Sequence, residues 1–360
     1  MSSMIKIITV LLFLLPGTAM ADWTETLKSN FDHAETFDSI NDWRGHYNYD
    51  RSWEEGGNIA SDFPYYDSGE NTPIKGYANY GPVSGSDSWI SSRSSDLIWN
   101  GEGKSLLINY AGSDGPARIG FGIAENDPTY GYSDGYAFAM VRIPRTFFSM
   151  NAESFNYYGY LKLLDLEIGW KHGGRWGTDT ENETYCSDER CSYIYGYNDV
   201  MINLYPSGSS MYLKLNSWVG SNESKPLNEY ITSIDVGGPI RENQWFAIEF
   251  HIILGNNNDG TIEIRAYDES GNELPGSPEK ITKITTFATF LDHKINRLLI
   301  GGNYSGSGTT GYIYFDDIIF DDGPIGSKYF QLLNGNDSTE EDASDSTEEI
   351  LAPKNFKVVE

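Results

Sequence analysis

The chain has 360 residues, of which 52 are acidic and 25 are basic, giving a formal net charge of −27. A surface this negative repels polyanions at long range, which argues against nucleic acid and anionic lipid surfaces as partners. Aromatic residues make up 14% of the chain and glycine is frequent, a composition that favours strands and turns over helices.

The first 21 residues have the pattern of a cleavable secretory signal peptide. Lys6 precedes an apolar run over residues 7–15, and Ala19-Met20-Ala21 supplies small residues at the cleavage positions. The apolar run is too short for a membrane span, which needs about 20 apolar residues. We therefore expect a mature chain that begins near Asp22, has no membrane span, and is secreted or periplasmic.

Residues 22–330 are predicted to form one all-β domain with long loops. An opening strand is expected near residues 31–43, followed by long aromatic-rich loops to about residue 103. Thereafter short β-type runs alternate with turn clusters, and helix signals are weak. The expected strands are 105–110, 117–123, 136–143, 160–168, 200–205, 211–218, 245–254, 261–267, 297–301 and 312–320. Such a series predicts a two-sheet sandwich or jelly roll.

The two cysteines, Cys186 and Cys191, are separated by four residues. In an oxidising compartment, two cysteines this close most simply form one small disulfide loop. Zinc binding is the alternative, but two thiols without a second pair or nearby histidines make a poor zinc site. The expected disulfide would restrain a loop and carry no chemistry.

Residues 331–360 are predicted to form an acidic disordered tail. From Asn334 to Glu349 the sequence is almost entirely Asn, Asp, Ser, Thr and Glu, so this segment cannot bury a core. Like charges along it repel one another and extend the chain, which is typical of a solvated tail.

Alternation along the predicted strands 245–254 and 261–267 separates apolar from polar side chains. Residues i and i+2 of a strand point to the same side of a sheet, and one side of each segment is apolar. The other sides carry Trp245, Glu249, His251, Glu263, Arg265 and Tyr267. The turn Asn257–Gly260 predicts a hairpin, so the two polar sides should lie next to each other.

Residues 197–205 and 211–218 show the same division. Their polar and aromatic sides carry Tyr197, Asn203, Tyr205, Tyr212, Lys214, Asn216 and Trp218. Flat rings with planar hydrogen-bonding groups suit sugars, which have apolar faces and hydroxyl edges. The alternative is that these are ordinary solvated faces of antiparallel strands. The aromatic density exceeds what a solvated face needs, so carbohydrate binding stands beside that alternative as an equal expectation.

Four segments resemble secreted concanavalin-like jelly rolls of the polysaccharide-lyase type. They are Phe31–Trp43, Tyr160–Leu166, Gln244–His251, and Gly301–Tyr304 together with Gly311–Ile318. The resemblance covers about residues 22–326 and implies two curved antiparallel sheets with a concave face that receives an extracellular polysaccharide. The closing Phe-Asp-Asp-Ile strand is shared with glycan-binding modules and laminin-G-like domains. The resemblance therefore leaves open whether the glycan is cut or only held.

Lyases of this shape remove the proton α to a uronate carboxyl group and expel the glycosidic oxygen. That reaction needs a base, an acid, and cationic or amide groups that stabilise enolate-like charge. We therefore expect His251 as base or carboxylate neutraliser, and His172, in a glycine-flanked segment, as the other candidate. The candidate acids are Tyr205, Tyr212 and Tyr267, and the candidate charge stabilisers are Lys214 and Arg265.

The negative net charge of the chain opposes a polyanionic substrate unless cations gather locally. The basic residues that should gather for a lyase are Lys162, Lys171, Arg175, Lys214 and Arg265. If they do not, a noncatalytic carbohydrate-binding or surface-adhesion module of the same fold is the alternative. Hydrolysis is less favoured: Asp165 and Glu167 share a strand face, but the outer glutamates of a concanavalin-like glucanase strand are missing.

No organic cofactor is expected, because the sequence has neither a phosphate-cradling loop nor a Gly-x-Ser-x-Gly elbow. Asp316-Asp317 and Asp321-Asp322 could supply oxygens to a structural calcium ion, although no loop has EF-hand spacing. The glycan, the metal ligands and the oligomeric state stay open at this point.

Overall fold

The strands and helices were located in a computed structural model of the chain. The structure describes residues 23–38, 43–45, 75–80, 88–91, 98–101, 103–109, 118–123, 130–148, 161–168, 199–207, 209–219, 229–255, 259–284, 294–301 and 311–335. Within these residues the protein is mostly β, with two antiparallel sheets and few helices. The predicted all-β, two-sheet jelly-roll class is confirmed.

The elements follow one another along the described chain with strands predominating. The helices are α1 (Trp23–Asn30), α2 (Arg145–Phe148) and α3 (Gly326–Leu333). The first eight strands are β1 (His33–Glu35), β2 (Trp43–Gly45), β3 (Lys75–Tyr80), β4 (Ser88–Ser91), β5 (Ser105–Asn109), β6 (Arg118–Gly122), β7 (Asp134–Arg142) and β8 (Leu161–Ile168). The others are β9 (Asp199–Ser207), β10 (Ser210–Val219), β11 (Glu229–Ile240), β12 (Trp245–Ile253), β13 (Gly260–Asp268), β14 (Glu279–Ile284), β15 (Ile295–Gly301) and β16 (Tyr312–Asp321).

The described strands form two sheets, here called sheet A and sheet B. Sheet A has the order β14-β13-β12-β7-β16-β5-β4-β2, and β1 pairs with β16. Sheet B has the order β11-β10-β9-β8-β15-β6-β3. Neighbouring strands are antiparallel, and each sheet combines strands that are distant in sequence, so the order of the strands follows from long-range pairing.

The principal core lies between the two sheets. Alternate residues of β12 and β13, such as Phe250 and Ile264, face alternate residues of the sheet B strands, such as Leu204 and Leu213, and all four are fully buried. Burying one such side chain contributes about 1.5–3 kcal/mol. The period of two residues along each strand therefore fixes which side chains point inward and which lie on the outer face of each sheet.

Helices α1 and α3 cover part of the outer face of sheet A and create a second apolar cluster. Phe138 of β7 packs against Tyr329 of α3, with ring centroids 4.7 Å apart. Trp23 of α1 packs edge-on against the same tyrosine, at 5.4 Å. This part of the outer face of sheet A is therefore interior rather than solvated.

Two adjacent acids of β16, Asp316 and Asp317, lie under these helices and are almost fully buried. Trp23 Nε1 donates a hydrogen bond to Asp317 Oδ2 at 2.9 Å, and the hydroxyl of Tyr329 donates to the same oxygen. Asp317 thus joins both helices to sheet A. Because this oxygen already accepts two donors, it is a poor calcium ligand.

Burial is the main reason why the pKa of Asp317 rises to about 7. The hydrogen bonds from Tyr329 and Trp23 lower the pKa, whereas the nearby carboxylates of Asp38 and Glu35 raise it. Burial, and then the charge of Asp317, raise the pKa of Asp316 in the same direction. The acid pair therefore favours a protonated form in the folded protein.

The ten strands expected after residue 104 are confirmed, each within two residues at its ends. The expected opening strand at 31–43 is confirmed only in part: residues 33–35 form β1, the described residues 36–38 are not in a strand, and β2 begins at Trp43. The sequence analysis also missed β3, β4, β11 and β14. Strand β11 was missed because Gly237, Gly238 and Pro239 read as a turn, although they lie within the strand.

Several predictions concern residues outside the described parts of the chain. These are the signal peptide of residues 1–21, the disulfide of Cys186 and Cys191, and residues 336–360 of the predicted tail. The start of that tail was placed too early, because residues 331–333 belong to helix α3. His172, Tyr197, Lys171 and Arg175 also lie outside them, and Trp218 is described only as a backbone position in β10. None of the described helices is long and apolar enough to cross a membrane.

Replacing Asp317 by Asn should reduce the pH dependence of stability. An acid whose pKa is raised on folding holds its proton longer in the folded state, so stability falls as the pH rises from about 4, where the unfolded carboxyl ionises. For Asp317 this loss is complete just above its folded pKa of about 7. Denaturant unfolding at pH 4, 6 and 8, with a chelator present, measures the free energy of unfolding of both proteins. The stability of Asp317→Asn should rise relative to that of the wild type as the pH increases, and an equal pH dependence of the two proteins would contradict this account.

Candidate functional site

The structure divides the predicted site residues between two surfaces. Trp245, Glu249, His251, Glu263, Arg265 and Tyr267 alternate with inward apolar residues of β12 and β13, so they belong to the outer face of sheet A. Lys162, Asn203, Tyr205, Tyr212, Lys214 and Asn216 belong to the outer face of sheet B. The inter-sheet core separates the two sets. His251 therefore cannot act in one site together with Tyr205 or Lys214.

The expected hairpin of β12 and β13 is confirmed, and its polar sides do lie next to each other. Glu249 is the register partner of Arg265, and His251 is the partner of Glu263. These side chains line one open pocket of about 600 Å³ on the outer face of sheet A, here called the sheet A pocket. The pocket extends to β7, β14 and the chain before α3.

Arg265 organises the charges of the sheet A pocket. Its Nη1 donates to Glu273 at 2.7 Å, its Nη2 donates to Glu263, and its Nε lies 3.8 Å from Glu249. Lys280 lies 2.8 Å from the second oxygen of Glu263. Burial raises the pKa of Glu263, but these two cations outweigh it and lower the pKa overall. The charges in the pocket are thus held in fixed mutual contacts.

Glu249 joins the pocket to helix α3. It is 1% exposed, and its Oε2 accepts the backbone N–H groups of Ile325 and Gly326, the former at 2.8 Å. Burial raises its pKa, while those two hydrogen bonds and Arg265 oppose the rise. A carboxylate at the first turn of a helix also interacts favourably with the helix dipole. Glu249 therefore has a structural role in docking α3.

His251 forms one wall of the pocket. Its ring stacks on Tyr136 of β7, with centroids 4.1 Å apart and planes 5° from parallel. His251 Nε2 lies 2.8 Å from Oδ1 of Asp134. Trp245 and Tyr267 lie deeper, 7% and 5% exposed, in the apolar cluster under the helices. A ligand in the pocket would meet His251 and Tyr136 rather than Trp245.

The outer face of sheet B brings its candidates together as rows across the strands. Lys162 of β8, Asn203 of β9 and Lys214 of β10 are successive register partners. Tyr205 and Tyr212 are partners in the next row. Because neighbouring strands lie about 4.8 Å apart, the two lysine positions are separated by roughly 9.6 Å, with the asparagine between them. Of the cations expected to gather, Lys162 and Lys214 lie in the same row, whereas Arg265 lies on sheet A.

Tyr205 is the centre of the polar contacts on this face. The Lys214 ammonium lies 5.0 Å from the centroid of its ring, a cation–π contact. Asn216 Nδ2 donates to the Tyr205 hydroxyl at 3.4 Å. Lys214 also lies 3.3 Å from the exposed carboxylate of Asp235 on β11. The phenol is therefore held beside a cation and an amide.

Asn203 is fully buried, and neither its side-chain oxygen nor its nitrogen has a hydrogen-bond partner in the described part of the chain. An unsatisfied buried amide costs about 1–3 kcal/mol, and such groups are rare in native proteins. Its neighbours in the row are the two lysines. The arrangement is an amide and two ammonium groups that share one strip of sheet B.

Sequence reasoning missed Arg297 and Asp235 on this face. Arg297 of β15 is fully buried and its Nε lies 3.1 Å from Oε2 of Glu167. Alternation along β15 could have suggested that Arg297 points to the outer face. Its position opposite Glu167 depends on the pairing of β15 with β8, which are far apart in sequence. Because Oε2 of Glu167 is engaged by Arg297, the two acids do not form an open glycosidase pair.

One group of acids among the described residues could hold a cation. Carboxylate oxygens of Asp32, Asp321 and Asp322 lie within 4.8 Å of one another, and hard oxygen ligands suit Ca²⁺. Asp321 accepts the backbone N–H groups of Asp32 and Gly323, and Asp32 accepts the hydroxyl of Tyr132. Several ligand atoms therefore already have donors, and calcium stays a prediction.

Neither a protein-family model nor a curated protein matches the sequence. Solved structures that match the fold include an endo-β-1,4-glucuronan lyase from the fungus Trichoderma reesei, at 12% identity and a TM-score of 0.42, over 68% of this chain and 90% of that one. A marine alginate lyase from Aplysia kurodai matches at 12% identity and a TM-score of 0.40, over 79% and 98% of the two chains. A variant of the alginate lyase Aly36B in complex with alginate tetrasaccharide matches at 14% identity and a TM-score of 0.42, over 80% of this chain and 96% of that one.

Replacing Glu249 by Ala should destabilise the protein far more than the same change at Glu273. Both carboxylates contact Arg265, but Glu249 is buried and also accepts two N–H groups of α3, whereas the Glu273 side chain is 37% exposed. Loss of one partner of a buried ion pair costs about 3–5 kcal/mol, whereas an exposed pair contributes about 0–1 kcal/mol. Urea unfolding should show this difference, and equal losses would disprove the docking role of Glu249.

Proposed function

We propose that this protein is a secreted β-eliminating polysaccharide lyase that acts on a uronate-containing glycan at the outer face of sheet B. The observation that carries the proposal is the row of Lys162, Asn203 and Lys214 beside Tyr205. That row combines the cationic, amide and phenolic groups that the elimination needs. Lys162 and Lys214 place two basic side chains on this face of a chain whose overall charge is strongly negative, and Lys214 is also paired with Asp235.

Asn203 and Lys162 are proposed to bind the uronate carboxylate. When the α proton leaves, negative charge moves onto that carboxylate, and donors placed there stabilise the transition state more than the ground state. The buried amide of Asn203 has the capacity to donate, since its nitrogen lacks a partner among the described residues. Lys162, in the adjacent position on β8, supplies a charge from the same strip.

Tyr205 is proposed to transfer the proton. A tyrosinate removes the α proton, the electron pair forms a carbon–carbon double bond, and the bond from the neighbouring carbon to the glycosidic oxygen breaks. The leaving oxygen then receives a proton from the same phenol or from Tyr212, its partner across the strands. The ammonium of Lys214 over the Tyr205 ring offsets negative charge on the phenolate.

The test is the ultraviolet absorbance of unsaturated uronate products during incubation with alginate, glucuronan, pectin and glycosaminoglycans. Tyr205→Phe should lower kcat by about 10²- to 10⁴-fold, the usual contribution of general acid–base catalysis. Asn203→Ala should also lower kcat, because its amide serves the transition state. Tyr130→Phe removes a hydroxyl from an exposed tyrosine outside the row and should leave the rate unchanged.

The alternative is a noncatalytic glycan-binding module of the same fold. It predicts that the wild-type protein binds one of these glycans but that the ultraviolet absorbance does not rise during incubation. Full activity of both Tyr205→Phe and Asn203→Ala would also reject the proposed roles of these residues.

A further inference from the structure

The sheet A pocket lies on the side of the sandwich opposite the proposed lyase site, and its polar groups are placed by regular strands. Tyr136 comes from β7, His251 from β12, Arg265 from β13 and Lys280 from β14, four successive strands of sheet A. Side chains on strands are held more accurately than side chains on loops. A volume of about 600 Å³ falls within the range of small-ligand pockets.

The charges in this pocket are paired with one another. Glu263 and Glu273 are the carboxylates that pair with Arg265 and Lys280, at 2.7 Å for Arg265 to Glu273 and 2.8 Å for Lys280 to Glu263. The third carboxylate, Glu249, is 1% exposed and bonded to α3. The three carboxylates outnumber the two cations, so they would repel a uronate or phosphate, and a bound cation would compete with Arg265 and Lys280 for them. A neutral ligand suits this arrangement best.

Ligand hydroxyl groups can form hydrogen bonds with charged side chains that are already paired with each other. A carboxylate has about four lone-pair sites, so an oxygen that already binds a guanidinium or ammonium can also accept a hydroxyl hydrogen. The Lys280 side chain is 51% exposed and the Glu273 side chain 37% exposed, so both can be reached from solvent. Hydrogen bonds to charged partners are stronger than neutral ones.

The stacked Tyr136 and His251 rings supply the apolar part of the pocket. Their ring centroids lie 4.1 Å apart and their planes are 5° from parallel, so each ring supports the other in one orientation. Aromatic rings next to planar hydrogen-bonding groups match a sugar ring, which has C–H faces and hydroxyl edges. We propose that the sheet A pocket is a second, noncatalytic binding site for neutral sugar residues of a glycan.

The test is affinity electrophoresis of the whole protein in native gels that contain β-glucan, mannan, xylan or alginate. We expect at least one neutral polysaccharide to retard the wild-type protein, with little effect of added salt, because no net charge pairs with the ligand. Tyr136→Ala and His251→Ala should each weaken this retardation at least tenfold. Tyr130→Ala, the same truncation at an exposed tyrosine outside the pocket, should not change it.

A panel in which no neutral polysaccharide retards the wild type would overturn the proposal, and so would unchanged retardation of Tyr136→Ala. Salt-sensitive binding of alginate that these variants weaken would also reject a neutral ligand. Should Tyr136→Ala fail to fold, Lys280→Ala on the edge strand β14 is scored instead. The readout is binding alone, so its failure and the absence of lyase activity are separate results.

Discussion

The apolar core between the two sheets is the constraint on which the other features depend. Because side chains alternate along each strand, burying Phe250 and Ile264 on the inside places Glu249, His251 and Arg265 on the outside of sheet A. The same rule places Asn203 and Lys214 on the outside of sheet B. A shift of one residue in either register would exchange the core and the candidate sites.

The two outer faces differ because helices cover only part of one of them in the described structure. On sheet A, Asp317 accepts donors from α1 and α3, and Glu249 accepts N–H groups from the start of α3. Buried acids there serve the attachment of the terminal helices. Burial raises the pKa of Asp317, and the hydrogen bonds from Tyr329 and Trp23 offset only part of that rise.

The sequence alone predicted structure that depends on neighbouring residues, and it did not predict contacts between residues far apart in the chain. The strands after residue 104 were found because period-two alternation and turn clusters are properties of neighbouring residues, and the β12–β13 hairpin followed from its short turn. The order of the strands is set by contacts far apart in sequence, as in the pairing of β12 with β7 and of β15 with β8. For that reason His251 and Lys214 were assigned to one site although they lie on opposite sheets. Helix α3 was missed because its stability comes from packing Tyr329 and Phe330 on sheet A, not from a strong helical sequence.

The contrast between Glu249 and Asn203 indicates how the two faces divide their roles. Both are buried polar groups on outer faces, but Glu249 has donors at both oxygens, whereas the Asn203 amide has none in the described chain. A satisfied buried group stabilises one structure, while an unsatisfied one keeps a cost that a ligand can remove. Chemistry that depends on a ligand is therefore better placed beside Asn203 on sheet B. The paired charges of the sheet A pocket are better suited to holding a neutral molecule in one orientation.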